Sequence, residues 1–341
     1  MKWHFLPAGE AFASYKERWD AINAGHGGHV LLDSLFVEGL LRHFGSDGVL
    51  LAILGDPAHA MAFVAMKSRG VWETYQPSQA PLGLALCQPG AEAEGAISSL
   101  LRALPGYALQ FSVLHQDPDY LGFGFRENAA KVQRLDYIRT ARIVLDGSFD
   151  AYWQSREGRL RKNNDRLRRR MAEKGLTPEF VTIREAAGIG QAIREYGRLE
   201  SKGWKAQEGT AVSEANSQGH FYRGLLEGFC ARGEGAIYQL RVNGQVIASD
   251  ICICRKDMLV LLKTAYDEEW SVYSPGFLLR EDVMRQLYSE GNVRCYEFYG
   301  PLMDYQLLWT SDVRTLFHLT CYRYGWLQPV KNVAERLRGR I

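Results

Sequence analysis

Residues 235–279 read GAIYQLRVNGQVIASDICICRKDMLVLLKTAYDEEWSVYSPGFLL, and this stretch decides the fold class. Its apolar runs are short and each ends in turn residues, a pattern typical of strands. Asn243-Gly244 favours a two-residue hairpin turn, Lys256-Asp257 marks a second turn, and Pro275-Gly276 follows the third run. The segment therefore predicts strand, hairpin, strand, turn and strand, followed directly by a helix.

The first half of the chain repeats this order. Residues 48–75, GVLLAILGDPAHAMAFVAMKSRGVWETY, predict three strands joined by an Asp-Pro and an Arg-Gly turn, and a Pro/Gly segment follows at 79–90. Although residue identity between the two halves is low, the shared order indicates a diverged internal repeat. Hairpins interrupted by helices favour an α+β fold, with a mixed, largely antiparallel sheet in each half, over a doubly wound sheet.

A length of 341 residues favours about two domains. A strand-like ARIVLDG leads through Ser148 into a long helical pattern, so we expect domains at 1–140 and 141–341. Strands are also predicted at WHFLP, 177–183, RCYEFYG and RTLFHLTCYR. Helices are predicted at 9–23, 34–44, 149–174, 188–202, 214–232, 276–290 and from about 326.

Composition limits the partners and the compartment. The formal net charge is only +2, so any anion site must be local. The six cysteines form no C-x-x-C pair, and neither a signal peptide nor an apolar run of membrane-spanning length is evident. These features predict a cytoplasmic protein whose membrane association is limited to peripheral contact at the inner membrane.

One local exception to the charge balance is RLRKNNDRLRRRMAEKG, residues 159–175, with six arginines and two lysines against two acids. Two interpretations stand: a solvated helix face, or an anion platform whose arginines bind phosphate. Arg166 and Arg170 lie one helical turn apart and are the candidate phosphate ligands. A single basic helix offers too small a positively charged surface to favour nucleic acid as the main ligand.

The strand-to-helix turn at Ser274, Pro275 and Gly276 is the second signal. A helix N-terminus offers free N–H groups and the positive end of its macrodipole, and glycine lets a ligand approach the backbone closely. An ordinary turn is the alternative, since the sequence contains neither a Walker loop nor G-x-G-x-x-G.

These pieces together resemble a known family. The order of strand, hairpin, strand, Pro-Gly turn, helix and EFYGP is similar to the GNAT acyltransferases, which implies two tandem GNAT-like domains, the N-terminal one degenerate. More narrowly, 150–325 resembles CelD-type acetyltransferases linked to cellulose and exopolysaccharide, and FemAB-type aminoacyltransferases. The matching motifs are RLRKNNDRLRRRMAEKG, LESKGWKAQEGTA, YQLRVNGQVIASD, KTAYDEEWSVYSPGFLL and EFYGPLMDYQLLWT. Gln306 departs from the lysine that usually follows the tyrosine of the last motif.

The resemblance implies an acetyl-CoA or other acyl-CoA donor and a small-molecule, glycan or peptide amine as acceptor. Donor-binding residues would be Thr264, Ala265, Tyr266, Ser274, Pro275, Gly276, Phe277 and Leu278. Substrate-binding residues would be Trp204, Lys205, Thr210, Lys263, Tyr305, Arg166 and Arg170. Two alternatives stay open: an aminoacyl-tRNA donor, the one case in which nucleic acid is expected, and a non-catalytic module of exopolysaccharide assembly.

Direct attack of an amine on a thioester needs a base and an acid. Glu200 and Asp250 are the candidate bases; Asp250 stands in an apolar strand, where a carboxylate is costly unless paired or used. Tyr266 and Tyr299 are the candidate acids. Lys263 either contacts substrate or pairs with Asp250. No metal is expected, because Cys252 and Cys254 lack neighbouring histidines and GHGGH at 25–29 is typical of a glycine loop.

Overall fold

The computed structural model describes residues 2–56, 58–90, 93–120, 131–202 and 212–329. The chain divides into two compact units, Met1–Arg139 with Arg314–Ile341, and Thr140–Val313. Both units contain a mixed sheet flanked by helices. The predicted α+β class is therefore confirmed.

The first unit combines strands from the two ends of the chain. Its strands are β1 (Trp3–Pro7), β2 (Leu50–Leu54), β3 (Ala60–Ser68), β4 (Val71–Thr74), β5 (Ala85–Cys87), β6 (Gln110–Gln116), the part of β7 (Val132–Val144) up to Arg139 and, from the end of the chain, β13 (Val313–Tyr322). Its helices are α1 (Ala8–Ala11), α2 (Lys16–Gly25), α3 (Ser34–Phe44) and α4 (Ala93–Ala103). The strand order is β1-β2-β3-β4-β6-β13-β7, with β5 on β3, and β4 and β6 are parallel.

The second unit contains the stretch that decided the fold class. Its strands are the last residues of β7 (Val132–Val144), then β8 (Pro178–Ile183), β9 (Gly235–Val242), β10 (Gln245–Arg255), β11 (Met258–Tyr266) and β12 (Cys295–Glu297). Its helices are α5 (Phe149–Ser155), α6 (Gly158–Glu173), α7 (Ala186–Lys202), α8 (Ser217–Ala231), α9 (Pro275–Glu290) and α10 (Asp304–Leu307). The strand order is β7-β12-β11-β10-β9-β8.

The two units share a topology. In each, three antiparallel strands follow a first edge strand, and the last of the three pairs in parallel with the strand after a helix: β4 with β6, and β11 with β12. In the second unit the β9–β10 hairpin turns at Asn243 and Gly244, whose φ angles of 52° and 77° are those a two-residue hairpin requires.

Helix α9 packs its apolar side on the second sheet. Leu279, Val283 and Leu287 recur at helical spacing and are fully buried in the core that the helix shares with β9, β10 and β11. This packing fixes the N-terminus of α9 beside the end of β11. The helix and the strand end together position the site described below.

Two expectations differ from the structure. The single helix expected at 149–174 is two helices, because Arg156 is extended (ψ 157°) and its Nη1 donates to the Trp309 carbonyl at 2.7 Å. The domain expected at 141–341 included β13, whereas β13 pairs with β6 in the first unit, since its alternating apolar residues Phe317, Leu319 and Cys321 belong to that unit's core. The terminal helix expected from about 326 extends beyond the described residues.

Candidate functional site

The turn before α9 has the geometry of an anion site. Ser274 adopts a left-handed conformation (φ 46°, ψ 56°) and Pro275 occupies the first helical position. The Phe277 and Leu278 N–H groups donate hydrogen bonds to the Ser274 carbonyl. The Gly276 N–H is one of those that a helix start leaves without an intrahelical acceptor. A Cβ at Gly276 would meet no atom within 4 Å, so the space above it is open.

That space is a cavity of about 220 Å³, which we call the α9 cavity. Its lining is Thr264, Tyr266, Ser271, Ser274, Pro275, Gly276, Phe277, Arg280, Tyr305 and Trp309. Six of the eight expected donor-binding residues therefore lie on it. The other two do not: Ala265 is outside the lining, and Leu278 is a fully buried core residue.

Arg280 and Asp250 form a buried ion pair beside this cavity. Arg280 Nη2 lies 3.1 Å from Asp250 Oδ2, without the geometry of a hydrogen bond, and the two residues are 4% and 1% exposed. The guanidinium also lies over the rings of Tyr296 and Phe298, and within the described residues its Nη1 has no hydrogen-bond partner. Helical side chains lean toward the helix N-terminus, which carries this arginine into the cavity lining.

Burial dominates the electrostatics of Asp250. Removal from water raises the pKa of its carboxyl, and the neighbouring Arg280 guanidinium and Thr264 hydroxyl oppose that rise. Thr264 is directly opposite Asp250 in the β10–β11 register, so both side chains face α9. Asp250 itself is outside the cavity lining, and it is connected to the cavity through Thr264 and Arg280, which do line it.

Glu200 belongs to α7 and occupies a different environment. It is 3% exposed, and it accepts hydrogen bonds from Tyr196 Oη (3.0 Å), the Val212 N–H (2.8 Å) and Lys263 Nζ (3.0 Å). The pairing considered between Lys263 and Asp250 is thus wrong. Lys263 pairs with Ile251 in the register, one residue along from Thr264, so it points away from α9.

The two candidate tyrosine acids are placed differently. Tyr266 is 47% exposed and lies on the α9 cavity. Tyr299 is buried with φ 48°, and the lining of the cavity does not include it. Trp204, Lys205 and Thr210 lie outside the described residues.

A second space, the α6 groove, adjoins the cavity. It has a volume of about 750 Å³ and is lined by Arg159, Leu160, Lys162, Asn163, Arg166, Phe277, Asp304, Tyr305 and Leu308. Arg166 therefore lies on the groove, whereas the expected partner Arg170 does not; it lies over the Tyr273 ring at 5.5 Å. Gln306, the departure from the family motif, is buried, and its Oε1 accepts from the Met303 N–H at 2.9 Å. It therefore caps α10.

Sequence reasoning missed three cavity residues, Ser271, Arg280 and Trp309. Arg280 follows Gly276 by four positions in a helical pattern, which places both on one face and was an available signal. Trp309 lies two residues after α10, and no sequence pattern predicts where its ring packs. Within the described ranges, no group of three or more metal-binding side chains occurs and no helix has the length and apolarity to cross a bilayer.

Comparison with known proteins agrees with this geometry. The family model described as an acetyltransferase (GNAT) domain matches residues 158–307, which include α6, α9 and the lining residues of both spaces except Leu308 and Trp309. None of the curated proteins matches the sequence.

Solved structures are similar in fold. A protein titled as the C-terminal domain of a putative lysylphosphatidylglycerol synthetase from Agrobacterium fabrum is 12% identical with a TM-score of 0.58, covering 94% of this chain and 95% of that one. FemX is 12% identical with a TM-score of 0.54, covering 98% and 99%. L-PGS from Bacillus licheniformis is 12% identical with a TM-score of 0.52, covering 90% and 91%. At these identities the likeness extends to the fold alone.

Proposed function

We propose that this protein is an acyl-CoA-dependent N-acyltransferase that transfers an acyl group to an amine. The observation that carries the proposal is the α9 cavity, which places an open helix N-terminus next to the exposed end of β11. The pyrophosphate of the donor would bind at the free N–H of Gly276, where the helix macrodipole favours negative charge. The match of residues 158–307 to a GNAT acetyltransferase domain supports this assignment.

The end of β11 supplies the second half of the donor site. β12 pairs with β11 only at Met258, Leu259 and Val260, so the following residues of β11 up to Tyr266 extend past β12. Peptide groups on such an edge can pair with an extended ligand, as an added strand would. The amides of the pantetheine arm would bind there, and the thioester would be held along the strand.

Side chains near the cavity would supply proton transfer. We assign the base to Asp250 rather than Glu200, because Asp250 adjoins the cavity through Arg280 and burial raises its pKa toward the range useful for a base. Glu200 is held by its hydrogen-bond donors away from the cavity lining. Tyr266, exposed on the cavity, would donate a proton to the departing thiolate.

Calorimetric titration with acetyl-CoA and with a longer acyl-CoA tests the proposal directly. Both esters should bind, and both should raise the Tm, because a ligand that binds only the native state stabilises it. Binding of neither ester at about millimolar concentration would contradict the proposal.

An aminoacyl-tRNA donor is the second candidate. The observation favouring it is the basic surface of α6, where Arg159, Lys162 and Arg166 are exposed or line an open groove. Titration with an aminoacyl-tRNA over a range of salt concentrations distinguishes the two donors. Tight binding with a steep salt dependence, together with no CoA binding, would select this candidate, since each phosphate contact releases counterions.

A further inference from the structure

We propose that the α6 groove binds the 3′-phosphate of the CoA donor, so that the protein distinguishes CoA from its 3′-dephospho form. The inference rests on the proposed function and names a subsite for it. No part of it depends on the acceptor.

The cations of the groove share one face of α6. Arg159, Lys162 and Arg166 are spaced by three and four residues, which aligns them along the helix. Arg166 Nη2 donates to Asn163 Oδ1 at 2.8 Å, and this contact orients the guanidinium. Among the described residues, Arg159 and Lys162 form no ion pair, and Asp304 is the single acid of the lining.

Two other cations of α6, Arg168 and Arg170, have structural contacts. Arg168 donates to Asp282 at 2.7 Å and lies 3.6 Å from Glu281, which ties α6 to α9. Arg170 lies over the ring of Tyr273. Arg168 and Arg170 therefore join elements of the fold, whereas Arg159, Lys162 and Arg166 line the groove.

The groove continues from the α9 cavity. Phe277 and Tyr305 line both spaces, and Phe277 is adjacent to Gly276. A donor whose pyrophosphate lies at Gly276 can extend past these two rings into the groove. The rings, 6.4 Å apart and edge to face, offer a surface to the nucleoside between the phosphates.

The groove has the chemistry of a phosphate monoester site. A monoester carries nearly two negative charges at neutral pH, and arginine guanidinium groups bind such oxygens through paired N–H donors. Three cations against one carboxylate give the groove the complementary sign. A phosphate on the ribose, beyond the pyrophosphate at Gly276, would lie on the far side of Phe277 and Tyr305.

The test compares CoA with 3′-dephospho-CoA by calorimetry on the full chain. The groove variant carries Arg159→Ala, Lys162→Ala and Arg166→Ala. A matched control carries Arg169→Ala, Arg170→Ala and Lys174→Ala, which removes the same number of charges from the same basic stretch outside the groove lining. Thermal melts establish that both variants fold.

We expect the wild-type protein to bind CoA roughly tenfold or more tightly than 3′-dephospho-CoA, the effect of losing hydrogen bonds to a charged group. The groove variant should bind the two ligands alike, while the control keeps the preference. Equal binding of both ligands by the wild-type protein would overturn the inference and leave the proposed function standing. An equal loss of the preference for CoA in the groove variant and in the control would also overturn the inference and leave the proposed function standing. Binding of neither ligand would overturn both.

Discussion

Gly276 occupies the second position of α9 and lines the α9 cavity, and a Cβ added there would meet no atom within 4 Å. We predict that Gly276→Phe folds with a Tm within a few degrees of wild type but loses the rise in Tm that CoA causes, because the ring fills the donor site. Gly224→Phe is the matched control, since Gly224 also lies in a helix and a Cβ added there would meet no atom within 4 Å. A CoA response retained by Gly276→Phe would exclude the cavity as the donor site.

The Asp250–Arg280 pair yields a second prediction at this scale. Asp250→Asn should lower the free energy of unfolding by about 3 kcal/mol, because it leaves a buried guanidinium without its counter-charge. Adding Arg280→Met should restore part of that loss. Urea denaturation of the two single variants and the double variant measures the coupling. Additive effects would show that the pair is not coupled.

For any amine that the wild-type protein acylates, Asp250→Asn should also reduce turnover about a hundredfold.

Asp250 also shows what the sequence reveals at single positions. A carboxylate inside an apolar strand predicts that a partner or a function exists, because burying an unpaired charge is too costly. The identity of the partner is not predictable in the same way. The register shift between Ile251 and Cys252 and the packing of α9 together decide that Arg280, and not Lys263, faces Asp250.

Among the elements, α7 is joined to β11 by Glu200 and Lys263. Glu200→Ala should lower the free energy of unfolding by about 3 kcal/mol, because it removes a buried carboxylate that lies 3.0 Å from the Lys263 ammonium. Glu214→Ala is the control, because Glu214 forms an ion pair with Arg194 of α7 in which both side chains are about half exposed. Exposed ion pairs of this kind contribute at most about 1 kcal/mol to stability. Chemical denaturation gives both values. A Glu200→Ala cost no larger than that of the control would assign Glu200 a role other than structural.

The sequence predicted the strands and turns of residues 235–279 correctly, but it did not predict where a helix is interrupted. The Asn243-Gly244 hairpin and the Pro275 helix start depend on backbone preferences that act within a few residues. The break at Arg156 depends on the Trp309 carbonyl, which lies 153 residues away along the chain. Local pattern therefore predicts elements, and tertiary contacts decide where they are interrupted.

For the whole molecule, the buried His29 predicts a dependence of stability on pH. Burial lowers the pKa of His29 from 6.5 to about 4, while Asp117 opposes this shift and Arg314 adds to it. The unfolded chain therefore takes up a proton more readily than the native protein does. The contribution of His29 to stability is fully present above pH 6.5 and is lost as the pH falls toward 4. The free energy of unfolding then falls by up to about 1.4 kcal/mol per pH unit from this group.

Denaturation at several pH values between about 7.5 and 5 measures this slope. His29→Asn should flatten it, and asparagine keeps an acceptor for the Leu31 N–H, which now donates to His29 Nδ1. An unchanged slope in the variant would assign the acid sensitivity to other groups. His115, whose pKa burial and His318 also lower to about 4, is the first of these.

The path of the chain through β13 has a consequence for the order of biosynthesis. The first unit includes β13, which lies between β6 and β7, so its sheet stays incomplete until residues 313–322 have been translated. The second unit ends at Val313 and is contiguous in the chain. Domains of most proteins acquire their structure in the order in which they leave the ribosome. In this protein the first unit, although its synthesis begins earlier, can complete its sheet only after β13 has been translated. The second unit, which bears the α9 cavity, can fold before that.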